Sequence, residues 1–417
     1  MKKIIINGGK ELSGTINISG AKNAAVALVP AAILAEEEVT LLNVPEISDI
    51  DSLEEILEYL GVKVKRATES MIIDPKKMKN KRIPDNIAKK LRASYYFMGA
   101  LLAKYNYVEM DFPGGCDIGE RPINLHLDGF RKMGATVTME DDKYIIKADK
   151  LKGAKIVLDV ASVGATINLM IAASKAHGKT IIENAAQEPE IVNMESFLNN
   201  LGANIKGAGT NTITIKGVEK LSGGFTEVIP DRIEAGTYLI AGALLGNNLK
   251  IYNVIPNHLD ALTEKLLEAG CKLDVNEDSI ICTKNGRLKR TKIVTYYFPG
   301  FPTDLQQPYS VFQTQCEGIS TIEETIWENR YMHIPYLNEM GANITVKGEI
   351  AKVRGKTSLV GKKVKATDLR AGAALVIAGL IAKGKTTIFD AEHILRGYEG
   401  IVEKLSEVGA DIKIVDE

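Results

Sequence analysis

Cysteine is scarce in this 417-residue chain: Cys116, Cys271, Cys282 and Cys316, with no C-x-x-C pair and no histidine at metal-ligand spacing. That pattern suggests neither a zinc site nor a disulfide framework. Three of the four read as small buried hydrophobes. An excess of either charge is also missing, since 52 Lys and Arg stand against 53 Asp and Glu. A nucleic-acid or membrane-surface protein carried by a broad basic face is thereby excluded, and any charge-based binding must be local. Long apolar runs are absent from the start, MKKIIINGGKEL, where three apolar residues precede Asn7, too few for a signal-peptide core or a membrane span. A cytoplasmic protein is expected. Without a Walker loop, a G-x-G-x-x-G after a strand, or an acyl-transfer triad, nucleotide hydrolysis, hydride transfer and Ser–His hydrolysis lack support.

What is present is repetition. The segments YLGVKVK, KMGATVT, NLGANIK, EAGCKLD, EMGANIT and EVGADIK each carry a glycine, at Gly61, Gly134, Gly202, Gly270, Gly341 and Gly409, spaced by 73, 68, 68, 71 and 68 residues. A glycine after an amphipathic helix and before alternating residues reads as a left-handed cap leading into a strand. Each copy is preceded by a second helix. SVGATINLMIAASKA, RIEAGTYLIAGALLG and DLRAGAALVIAGLIA are small and apolar on every face, hence buried, whereas LDALTEKLLEAG and EGIVEKLSEVG keep one wet face. With one strand before the capped helix and two after it, the unit reads helix, strand, helix, strand, strand.

The sixth copy stops at KIVDE without its closing segment, which stands instead at the N-terminus as KIIINGGKELSGTINIS. Residues 1–19 are therefore expected to complete the sixth repeat. The fold expected is α/β: a two-lobed, inside-out barrel of six repeats, three per domain, with buried helices inside and sheets outside. The N-terminal lobe spans 20–228, and the C-terminal lobe 1–19 plus 229–417. A chain of this length exceeds what one core serves. An extended solenoid of six equal units is the alternative on pattern alone.

Polar residues gather at the starts of the buried helices: Lys22 and Asn23, Arg92, Ser162, Asp231, Asp304, Asp368 and Arg370. Helix N-termini present unpaired amides and a partial positive charge, so several of them would suit phosphate or carboxylate ligands. An isolated Asp or Ser there reads first as a cap. Lys22 and Arg92 oppose the dipole, which implies an acid nearby. The connection DFPGGCDIGERPINL, residues 111–125, is longer than its equivalents NVPEISDID and NVIPNHLDA and carries Gly114, Gly115 and Gly119. It reads as a lid with Cys116 at its tip beside Arg121, a setting that lowers a thiol pKa. Arg330 and Arg396 add cations in strand-to-helix connections, more than one monoanion needs.

These residues resemble one family along nearly the whole chain. ISGAKNAA, LRAS, PGGCDIGERP, SVGAT, ENAAQEPEIV, PDRIEAGTYL, FPTDLQ, ENRYMH and TDLRAG, in this order, are similar to motifs of the UDP-N-acetylglucosamine 1-carboxyvinyltransferases. The resemblance implies a cytoplasmic enzyme without cofactor, acting on phosphoenolpyruvate and UDP-N-acetylglucosamine. A monomer is favoured, though the sequence itself carries no signal of oligomeric state. It implies Cys116 as acid and Asp304 as base, with Lys22 and Arg396 also in the catalytic set. Phosphoenolpyruvate would meet Lys22, Asn23, Arg121, Arg330, Arg370 and Arg396. The nucleotide sugar would meet Asn23, Arg92, Arg121, Pro122, Ile123, Asn124, Leu125, Ser162, Val163, Gly164, Asp304 and Ile326. Asn124 stands where the family commonly has Asp, and Val160 where some members have Lys; both bear on nucleotide affinity. The alternatives are the sister family acting on shikimate 3-phosphate, in which the Cys-bearing lid is not expected, and a silent paralogue that only binds nucleotide sugar.

Overall fold

The computed structural model describes residues 2–111, 123–141 and 143–416. Six helices are buried along nearly their whole length: Lys22–Ala31, Tyr96–Tyr105, Val163–Ala173, Arg232–Leu245, Thr303–Thr314 and Leu369–Ile381. Small side chains let them approach closely. A Cβ on Gly99 would lie 2.2 Å from Asn168 Oδ1, so only glycine fits that crossing. The Thr303–Thr314 helix departs from the apolar rule: Gln306, Gln307, Ser310, Gln313 and Thr314 are fully buried. Ser310, Gln313 and Thr314 turn to internal partners, as where Ser310 Oγ meets His333 Nε2 at 2.8 Å and Gln313 Nε2 donates to Thr291 Oγ1 at 3.2 Å, while the side-chain amide of Gln307 meets no hydrogen-bond partner among the described residues.

The amphipathic partners are Ser48–Tyr59, Asn124–Lys132, Pro189–Asn200, Asp260–Glu268, Ile334–Glu339 and Ile401–Glu407. Each ends at one of the six repeat glycines, whose φ runs from 84° at Gly61 to 108° at Gly341. The residue after the glycine then donates to the carbonyl five positions back, as in Val62 to Leu57 and Ala410 to Leu405 at 2.9 and 3.0 Å. That closure satisfies orphan carbonyls and aims the chain into the next strand. A side chain at such a φ costs on the order of 1 kcal/mol, which is why glycine recurs there.

Among the described residues five of the six sheets carry one strand more than the sequence reading gave; the second repeat keeps three, Tyr107–Asp111, Lys143–Lys147 and Thr136–Glu140. In the third repeat, Asn204–Lys206, Thr212–Lys216 and Lys179–Glu183 pair antiparallel, and Lys155–Val157 joins their edge in parallel before the buried helix begins. Lys292–Val294 and Lys363–Lys365 do the same in the fifth and sixth repeats. In the first repeat this leading strand is Gly224–Glu227, which returns to lie parallel to Val39–Leu42. The N-terminal strands divide their work. Lys2–Asn7 sits between Lys385–Phe389 and Asp411–Asp416 and fills the missing place in the sixth sheet. Leu12–Asn17 instead lies parallel to Gly246–Tyr252, as the leading strand of the fourth repeat.

The chain forms two compact units, one from residues 2–19 and 230–416, the other from the described residues between Gly20 and Ile229. Each has its own hydrophobic core, with buried helices at its centre and sheets outside, the inside-out α/β arrangement. Among the described residues no helix is long and apolar enough to cross a membrane.

Candidate active site

The six buried helices start in two different ways. Ser162, Asp231 and Asp368 are N-caps whose side chains accept from Ala165 N, from Ile233 N and Glu234 N, and from Arg370 N and Ala371 N. For the two aspartates, capping replaces the anion-site reading, because the amides that would meet a ligand are occupied. Ser162 takes the third amide of its helix and leaves those of Val163 and Gly164 outside the cap. The helices beginning at Lys22, Tyr96 and Thr303 have no side-chain cap. Those uncapped starts are where Lys22, Asn23, Arg92 and Asp304 stand, Arg92 on a 3-10 turn just before its helix.

In the unit containing the C-terminal repeats, three predicted residues meet. Asp304, the second residue of its helix, holds Arg330 Nη2 at 2.8 Å through Oδ1 and Arg370 Nη2 at 3.1 Å through Oδ2. Both guanidinium side chains are nearly sealed, at 3 and 4 % exposure, while the Asp304 side chain keeps 25 %. The carboxylate is thus the accessible member of a buried cationic pair. Burial works against the Arg370 charge, but Tyr398, Asp304 and Asp231 outweigh it and hold its pKa above the ordinary value. The Tyr398 ring lies 5.3 Å from the guanidinium, and its hydroxyl meets Thr237 Oγ1 at 2.9 Å. Behind Arg330, Thr303 Oγ1 accepts from Nη1 at 3.4 Å and donates to Glu324 Oε2 at 2.9 Å. Ile326 is half-buried two residues beyond Glu324, and Arg396 is half-buried at the end of the short Glu392–Leu395 helix.

In the other unit, Lys22 pairs with the buried Asp49 at 2.9 Å, the acid that a cation at a helix start calls for. Asn23 and Arg92 are half-buried, as are Ile123 and Leu125, whereas Asn124 and Val160 are exposed. Gly164 is pressed against its neighbours: a Cβ there would lie 2.8 Å from Tyr95 Oη and 3.3 Å from His126 Cε1. His126 is buried, and burial, helped by Arg92, pulls its pKa down to about 3, so the ring is neutral at pH 7. Asn168 accepts from Gly99 N through Oδ1 and donates to Tyr95 O, leaving its second proton for His126 Nδ1 at 3.0 Å. That assigns the imidazole proton to Nε2.

Cys116, Arg121 and Pro122, with Gly114, Gly115 and Gly119, lie outside the described residues. The other three cysteines are buried; burial pushes the Cys271 and Cys316 thiols up to about 12 and the Cys282 thiol higher still, which makes all three inert near neutrality. Sequence reasoning missed Thr303, Glu324, His126 and Asn168. Asn168 had a legible signal, a lone amide inside an all-apolar helix. Glu324 had none, since it sits among Glu323 and Glu328 in a run that reads as solvated.

Comparison with known proteins bears on this arrangement. Residues 6–405 match the family described as EPSP synthase (3-phosphoshikimate 1-carboxyvinyltransferase). The chain is 53 % identical to UDP-N-acetylglucosamine 1-carboxyvinyltransferase 2 of Listeria monocytogenes over 98 % of this chain and 97 % of the relative. It is 52 % identical to UDP-N-acetylglucosamine 1-carboxyvinyltransferase 1 of Streptococcus agalactiae over the full length of both. Among solved structures, the enolpyruvyl transferase NikO from Streptomyces tendae superposes with a TM-score of 0.89 at 27 % identity, covering 99 % of each chain. EPSP synthase from Acinetobacter baumannii superposes at 0.74 over all of both chains with 18 % identity, a likeness of fold alone.

Proposed function

Because the chain belongs to the enolpyruvyl transferases, and within them to the UDP-N-acetylglucosamine 1-carboxyvinyltransferases, we propose that Cys116 and Asp304 are its acid and base. The reaction moves the enolpyruvyl group of phosphoenolpyruvate to the 3-hydroxyl of UDP-N-acetylglucosamine and releases phosphate, the first committed step of peptidoglycan precursor synthesis. Cys116 delivers a proton to the methylene carbon, which makes the adjacent carbon electrophilic. The sugar oxygen adds there as its proton passes to Asp304, giving a tetrahedral phosphate ketal. Loss of a proton from the new methyl group and of phosphate from the central carbon restores the double bond. Lys22, Arg121 and Arg396 hold the phosphate and carboxylate of phosphoenolpyruvate, and preorganised cations of this kind stabilise developing charge by several kcal/mol.

The observation that carries the base assignment is the seating of Asp304, an accessible carboxylate between two nearly sealed guanidiniums. Both oxygens are engaged, so the base works when the substrate hydroxyl takes the place of one of these contacts; Arg330 then retains Thr303, and Arg370 retains the Tyr398 face. The amides of Val163 and Gly164, with Asn23, Arg92, the 121–125 stretch, Ser162 and Ile326, receive the nucleotide sugar. Arg330 and Arg370 serve phosphoenolpyruvate chiefly by fixing Asp304 and adding positive potential. We place the enzyme in the cytoplasm.

The chain has a single tryptophan, Trp327, next to Ile326. Adding UDP-N-acetylglucosamine is expected to change its emission saturably, with shikimate 3-phosphate leaving it unchanged. The reverse pattern would move the acceptor assignment to the sister reaction.

A further inference from the structure

Glu324 is a carboxylate at 1 % exposure, at the end of the Gly318–Glu323 strand. It has no direct ion pair among the described residues, and the cost of burying it is met by hydrogen bonds. Oε1 accepts from Thr295 Oγ1 at 2.9 Å, Ile326 N at 3.0 Å and Trp327 N at 3.2 Å. Oε2 accepts from Thr303 Oγ1 at 2.9 Å, and the same hydroxyl oxygen accepts from Arg330 Nη1, whose Nη2 holds Asp304. Burial raises the Glu324 pKa, opposed by the Ile326 amide, Thr295, Thr303 and the Arg330 charge. Four donors and no donated proton define the group as an acceptor at both oxygens.

We propose that Glu324 is a positioning residue for the transfer reaction. Through Oε1 it sets the turn that presents Ile326 and Trp327, and through Oε2 it sets the Thr303–Arg330–Asp304 chain that aims the base. This rests on the reading of Asp304 as base and Ile326 as a nucleotide-sugar contact. One buried group thereby fixes the register between acceptor binding and proton removal. The two oxygens can be separated by mutation. Thr303→Val keeps the side-chain shape and removes only the Oε2 branch; Thr303→Ser keeps the hydroxyl. Glu324→Gln preserves an acceptor for the turn but places an amide donor against Thr303, whose hydroxyl proton loses its acceptor.

The test measures kcat, KM for UDP-N-acetylglucosamine, melting temperature and Trp327 emission in Thr303→Val, Thr303→Ser and Glu324→Ala, with Asp304→Asn beside them. Thr303→Val is expected to lose about tenfold in kcat, the worth of one good hydrogen bond, with KM and Trp327 emission at parental values. Thr303→Ser restores kcat. Glu324→Ala, which cuts both branches, lowers kcat, raises KM and shifts Trp327 emission. A fully active Asp304→Asn would remove the base assignment and the inference with it. An inactive Asp304→Asn beside a Thr303→Val of parental kcat would overturn the inference alone. So would a Thr303→Val loss that follows melting temperature and is not rescued by Ser.

Discussion

Cys116→Ala is expected to bind UDP-N-acetylglucosamine with parental affinity while phosphate release falls by about a thousandfold, within the range a positioned general acid contributes. The same variant should lose covalent labelling by fosfomycin, an epoxide phosphonate that mimics phosphoenolpyruvate. The physical basis is contrast among the thiols. Cys271, Cys282 and Cys316 are buried with pKa values raised by desolvation, so a thiolate-directed reagent near pH 7 has one competent target. Mass spectrometry of the treated protein, with the sugar nucleotide present, should find a single adduct on the peptide containing Cys116. An adduct on another cysteine, or parental turnover in Cys116→Ala, would refute the acid assignment.

The second large effect is expected at Asp304. Asp304→Ala removes the one carboxylate that Arg330 and Arg370 share, leaving two guanidiniums at 3 and 4 % exposure without their counter-ion. Stranding buried charge in this way costs about 3 kcal/mol of stability. Asp304→Asn retains an acceptor for one guanidinium and should melt closer to the parent, yet both variants should lose about a thousandfold in kcat because neither can take the hydroxyl proton. Comparing the two separates chemistry from stability. If Asp304→Asn keeps parental kcat, the base lies elsewhere.

How much of this was readable beforehand follows from the range of the forces involved. The six repeats were legible because a glycine cap and the periodicity of an amphipathic helix are local signals. So was the completion of the sixth sheet by Lys2–Asn7, since a missing segment and a spare one could be matched. Leu12–Asn17 was misplaced because its alternation is the same whichever sheet it joins, and only distant packing chooses Gly246–Tyr252. The leading strands Lys155–Val157, Lys292–Val294 and Lys363–Lys365 are three residues each, too short for a period to show. Polar chemistry was legible where a residue opposed its surroundings, as Lys22 did at a helix start. It was hidden where the solution is a network: Glu324 becomes exceptional only once Thr295, Thr303 and two backbone amides converge on it. Asp231 and Asp368 were drawn into the site by position, and their cap bonds return them to structural work.

The most direct measurement of the central claim is phosphate release by the purified protein given phosphoenolpyruvate with either UDP-N-acetylglucosamine or shikimate 3-phosphate, the acceptor being weighed afterwards. The account predicts release only with the sugar nucleotide, which gains the mass of one enolpyruvyl group in place of a hydrogen. Release with shikimate 3-phosphate alone, or binding of the sugar nucleotide without turnover, would contradict it.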